Sequence, residues 1–192
     1  VKQTGSWLSI EDVSDEPSLL MTSIFPLSQT LTSCTADPCT PDAVQFFSGA
    51  LSPTAGAFFT VPELPFEPYI DLQPGWYHAS YGVFLSRGTP PGDGSGQRYV
   101  GHSYLTLNGS VLEVCHSRGY IRGSQGSFDT WDITTTAMCL FQVPADGARL
   151  RLLTAWDELV DKSGQVQLSV PAWRSWLTLV AQPGVDQTTG TT

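Results

Sequence analysis

The sequence predicts an all-β protein, an antiparallel β-sandwich or compact β-barrel with long surface loops and little helix. Three observations carry that expectation. Asn108-Gly109 sits between two runs of alternating apolar side chains in Arg98 to Val114. A two-residue type I′ turn needs positive φ at both central residues, which Asn and Gly accept at least steric cost. Short runs rich in Val, Leu, Thr, Phe and Tyr recur between clusters of the 18 Gly and 14 Pro, and few stretches hold a 3.6-residue apolar period long enough for a helix.

Taken in order, residues 1 to 33 alternate loosely (Trp7, Leu8, Ile10, then Leu19, Leu20, Met21, Ile24, Phe25) and fit two strands around an acidic turn at Asp12 to Pro17. Ser33 to Pro41 reads as a loop. Asp42 to Phe47 fits one helical turn, with Asp42 near its start and Ser48-Gly49 ending it. Pro62, Pro65, Pro68 and Pro74 cannot donate to a central ladder, so Pro62 to Pro74 reads as an extended edge or a surface crossing. Gly75 to Leu85 returns to a buried strand. Gly88 to Gly96 is an exposed loop by composition, and the hairpin of residues 98 to 115 follows. His116 to Ser127 reads as a Gly-rich turn region, and Ile133 to Val143 as a strand. Ala148 to Lys162 divides evenly between helix and strand: Leu150, Leu153, Trp156, Leu159 and Val160 share a helical face, yet Arg149-Leu150-Arg151-Leu152 alternates. Val166 to Ala181 closes the fold as a strand or strand pair. One domain is expected over residues 1–185, with residues 186–192 as a polar tail.

Charge narrows the partners. Nine Lys and Arg against 18 Asp and Glu give a net charge of −9, which repels a phosphate backbone or an anionic membrane, so neither nucleic acid nor membrane insertion is expected. No run of 18 apolar residues appears, and the start is neither Met nor a basic-plus-apolar leader, so the chain reads as a piece of something larger.

No catalytic motif supports itself. A nucleophile elbow is absent, since Gly94-Ser95-Gly96 has the wrong spacing, and phosphate-binding fingerprints are absent too. The most enzyme-like constellation is His102 with Cys115 and His116, where a thiolate and an imidazole could meet across neighbouring strands as in a cysteine-dependent hydrolase. A cysteine at a strand end is more often a small buried hydrophobe or half of a disulfide. Cys34, Cys39, Cys115 and Cys139 allow three connectivities; a Cys34–Cys39 bridge around a Pro-containing loop is geometrically possible, and the spacing does not suit zinc. Calcium ligation by Asp93 and Asp129 lacks an Asp-x-Asp-x-Asp loop. No enzymatic activity, metal or cofactor is expected. Asn108-Gly109-Ser110 matches a glycosylation sequon, but the turn role accounts for those residues.

Recognition is the better expectation. Six Trp are many for 192 residues, and Tyr120 and Trp131 flank the Gly-Ser-Gln-Gly-Ser turn, where an exposed ring can stack on a sugar or a partner side chain. Arg118, Tyr120, Arg122, Gln125, Trp131 and Asp93, on or beside Gly-rich loops, are the candidate receptor-binding residues. Trp173, Trp176 and Leu177 are the candidate dimer interface.

An acidic, sparsely charged, Gly- and Pro-rich β module with a Thr-rich tail resembles the receptor-facing protrusion of a small non-enveloped virus coat protein. Within that group Gly75-Trp76-Tyr77, the hairpin at 98 to 115 and the length are similar to the capsid spike of an astrovirus, of the avian type. The resemblance implies a homodimer at the virion surface, extracellular in its active form, that attaches to a host-cell receptor and is a target of neutralising antibodies. The other expectations are a carbohydrate-binding module of a phage or bacterial protein and the hydrolase built on Cys115 and His102.

Overall fold

The computed structural model describes residues 17–22, 29–31, 41–46, 48–61, 69–86, 98–122, 132–158, 169–170 and 175–182. Their strands are β1 (Ser18–Thr22), β2 (Gln29–Thr30), β3 (Asp42–Ala43), β4 (Ser48–Leu51), β5 (Phe59–Thr60), β6 (Ile70–Leu72), β7 (Gly75–Ser86), β8 (Arg98–Leu107), β9 (Ser110–Arg122), β10 (Asp132–Val143), β11 (Ala148–Glu158), β12 (Ser169–Val170) and β13 (Trp176–Gln182). Among the described residues the helical content is one 3-10 turn, Ala55–Ala57. The expected all-β, antiparallel sandwich is what the chain forms.

Two sheets result, and every pairing in them is antiparallel. The seven-stranded sheet runs β10-β7-β13-β1-β4, with β12 and β2 extending it beside the far end of β7. The six-stranded sheet runs β9-β8-β11-β6-β5, with β3 beside β11. Numbering the principal strands β1, β6, β7, β8, β9, β10, β11 and β13 in chain order, one sheet reads first-eighth-third-sixth and the other second-seventh-fourth-fifth. That is the winding of a jelly roll, two Greek keys folded face to face.

Period-2 alternation sets the layers. In β7, Tyr77, Ala79, Tyr81, Val83 and Leu85 are buried, while Trp76, His78, Ser80 and Phe84 face outward and are half-buried. Leu105, Leu150, Leu152 and Trp156 meet them from the opposite sheet, and Leu19, Leu177 and Leu179 extend the core. The sheets approach closely at a glycine pair. Gly101 and Gly119 are register partners on β8 and β9, and a Cβ on either would strike Leu85 or Ile133 of the facing sheet.

The hairpin turn forms as expected: Asn108 has φ 48° and Gly109 φ 86°, the positive pair of a type I′ turn. The Asn108 side chain also fixes the neighbouring connection, its Oδ1 accepting from the Arg149 N–H at 2.8 Å. At the other flank Ser18 lies opposite Val180, and the Ala181 N–H donates to the Pro17 carbonyl at 2.9 Å.

One open question is decided and two local expectations are corrected. Residues 148 to 158, divided evenly between helix and strand by sequence, form strand β11, because β8 on one side and β6 and β3 on the other satisfy its backbone. Asp42 and Ala43 are extended against Thr154 and Leu153, where a helical turn was expected. The supposed turn region from His116 is ladder as far as Arg122, paired with Arg98. The loops expected at Ser33 to Pro41 and Gly88 to Gly96 lie almost wholly outside the described residues.

Candidate functional site

The two sheets differ in charge. The strands of the seven-stranded sheet contain one charged residue, Asp132, whereas those of the six-stranded sheet contain ten. Five of the chain's nine Lys and Arg lie on the latter: Arg98, Arg118, Arg122, Arg149 and Arg151. Alternation directs Arg118 and Tyr120 of β9 outward, and both are exposed. His102 lies opposite Arg118 in the register, and Tyr104 opposite His116.

These side chains form a strip on the β8–β9 hairpin. The His102 and His116 rings are 5.8 Å apart, and Tyr104 meets His116 edge-on at 5.6 Å. The Nε2 of His116 is buried and has no hydrogen-bond partner among the described residues. Burial pushes the Tyr104 hydroxyl above its ordinary range. Arg118 makes no ion pair among the described residues. A free guanidinium, an exposed phenol ring and two imidazoles suit recognition of a polar or anionic partner.

Beneath the strip a buried polar network holds the hairpin to the other sheet. The Tyr81 hydroxyl of β7 lies 2.6 Å from the Ser103 carbonyl and 2.8 Å from that of Cys115, sharing its one proton between them. Ser103 Oγ meets Thr135 Oγ1 at 2.6 Å, and Thr154 Oγ1 donates to the His102 carbonyl at 2.9 Å. Burial raises the Tyr81 hydroxyl far above a free phenol, so it stays a donor.

Cys115 is not available as a nucleophile. It is fully buried and joined to Cys139 of β10 in a disulfide spanning 5.4 Å between Cα atoms. The bond ties β9, at the flank of one sheet, to β10, at the flank of the other. No thiolate remains for His102, so the cysteine-hydrolase expectation falls. Among the described residues no group of three or more His, Cys, Asp or Glu is placed to hold a metal. No described helix is long and apolar enough to cross a membrane.

Of the residues expected from sequence, the structure brings Arg118 and Tyr120 together and continues their strand to Arg122. Asp93, Gln125, Trp131, Trp173, Cys34 and Cys39 lie outside the described residues, so the receptor role of the first three and the Cys34–Cys39 pairing fall there too. The Leu177 part of the dimer interface is corrected: that side chain is 1% exposed, facing the core of its own chain. Trp176, one position earlier, is on the outer face, and its indole lies against Gly82. Sequence reading missed the outward apolar surface of the same sheet. Met138 is 71% and Leu140 55% exposed, and in the register Met138 lines up through Ser80 and Thr178 with the exposed Leu20. The unbroken apolar run Ala137-Met138-Cys139-Leu140-Phe141, which puts apolar residues on both faces of a strand, was the available signal.

No family model matches the chain, and no curated protein matches it. Among the solved structures that resemble its trace are three from different animals. Eiger TNF from S. frugiperda is 11% identical with a TM-score of 0.48, covering 92% of this chain and 98% of that one. Murine APRIL at pH 8.0 is 12% identical with a TM-score of 0.45, covering 88% and 100%. The globular domain of zebrafish complement 1qA is 13% identical with a TM-score of 0.47, covering 87% and 97%. At such identity no residue's role transfers.

Proposed function

We propose that this chain is an attachment module displayed outside the cell, a capsid surface spike that binds a host-cell receptor by recognition without chemistry and carries neutralising epitopes. The observation that carries the reading is the division of labour between the sheets. One outer face is nearly free of charge and exposes Met138, Leu140 and Leu20, which fits burial against another copy of a chain whose net charge of −9 would otherwise repel it. The other presents Arg118 and Tyr120 to solvent beside the half-buried His102 and His116. Self-association through the first face leaves the second face of each copy open to a receptor, so an oligomer carries more than one receptor site. The Cys115–Cys139 bond supports an oxidising, extracellular setting.

The test is saturable binding of the purified domain to permissive cells, measured with its solution mass. Saturable attachment by an oligomer is the expected result, and pretreatment of the cells with glycosidase or protease identifies the receptor class. Absence of binding to any cell overturns the reading, while a monomer that binds sugar favours the carbohydrate-binding module.

A further inference from the structure

A second site lies on the six-stranded sheet, nearer the Asn108-Gly109 turn. A groove of about 720 Å³ opens to solvent there, lined by Asp71, Gln73, Asn108, Asp146, Arg149 and Arg151 among others. Its volume falls within the roughly 300–1,000 Å³ of small-molecule sites.

The two arginines are unequal. Arg149 is spoken for: its Nε donates to Asp71 Oδ1 at 2.9 Å, a terminal nitrogen reaches Oδ2 at 3.4 Å, and its guanidinium lies 3.7 Å above the centre of the Tyr69 ring. It stiffens the wall and neutralises Asp71. Arg151, two residues on and facing the same way, makes no ion pair among the described residues. Among the described residues the groove is therefore left with one uncommitted cation, Arg151. Around it are the Gln73 amide, the Asn108 amide N–H₂, whose oxygen is already engaged by Arg149, and the Asp146 carboxylate. Gly109 and Gly147 at positive φ keep the rim free of side chains.

We propose that this groove binds an acidic saccharide, its anion on Arg151 and its hydroxyls on Gln73, Asn108 and Asp146. One cation with several neutral and acidic hydrogen-bonding groups suits a ring carrying a single negative charge among many hydroxyls. A nucleic-acid backbone would need a run of cations, and Asp71 and Asp146 work against it. The proposal rests on the attachment reading only in treating the chain as a binding module.

Titration of the purified domain with a sialylated trisaccharide, a monosulfated lactose and neutral lactose, followed by calorimetry and by amide shifts at Gly109 and Gly147, tests it. One of the two acidic probes binds and shifts those amides, which identifies the anion as carboxylate or sulfate; lactose binds at least tenfold more weakly. Arg151→Ala weakens the acidic probe about tenfold, the loss of one charge-assisted contact, and Arg151→Lys restores part of it. Arg151 is exposed, so both variants fold. Equal affinity for lactose, binding unchanged in Arg151→Ala, or preference for a single-stranded oligonucleotide overturns the proposal. Cell attachment that persists with no acidic saccharide bound sinks the groove alone. Saccharide binding without cell attachment sinks the attachment reading alone.

Discussion

Tyr81 and Gly119 concentrate the energetics of the hairpin, and Tyr77 plays the corresponding part beside β5 and β6. Tyr81→Phe leaves the Ser103 and Cys115 carbonyls without their shared donor, and a buried acceptor left unmet costs about 1–3 kcal/mol; the loss is read as a lower urea midpoint at unchanged slope. Gly119→Val drives a side chain into Ile133 and should destabilise by roughly 1–3 kcal/mol in the same measurement. Tyr77, whose hydroxyl donates to the Gln73 carbonyl at 2.7 Å, is raised by burial from 10.0 to about 12. A raised folded value favours the neutral form. Its contribution is therefore whole below pH 10 and fades as pH climbs from 10 towards 12, where the unfolded phenol ionises first. Thermal midpoints across that window should fall for the native chain and fall less for Tyr77→Phe.

The disulfide acts between elements rather than within one. It closes a loop with a sequence separation of 24, and replacing Cys115 and Cys139 together by Ser should cost about 3 kcal/mol in denaturant unfolding. Retention of full stability would mean the network under the hairpin holds β9 to β10 unaided. How far such elements were legible depended on how local their cause is. Asn108-Gly109 announces its turn because two residues determine it, and the alternating runs of β7 and β10 read directly. Residues 148 to 158 stayed ambiguous because Leu150, Leu153 and Trp156 satisfy a helical spacing, and only ladder partners on both sides decide for a strand. Cys34 and Cys39 drew attention by closeness in sequence, whereas Cys115 and Cys139 meet because two separate sheets end at the same flank. The candidate site was half visible: Arg118 and Tyr120 could be singled out, but the His116 and Tyr104 contacts depend on register, which a bulge between Tyr104 and Thr106 shifts.

At the scale of the whole molecule the asymmetry of the faces makes a plain prediction. Met138→Glu combined with Leu140→Glu, both at exposed positions, should leave folding intact and lower the mass measured by light scattering to that of one chain; an unchanged oligomer would move self-association to another surface. The strand order β10-β7-β13-β1-β4 has a mechanical consequence as well. Because Ser18 faces Val180 and Pro17 is bonded to Ala181, the described chain enters and leaves at one end of two neighbouring strands. Tension applied at Pro17 and Gln182 would unzip β1 from β13 one bond after another, while the Cys115–Cys139 clasp keeps the opposite flank shut.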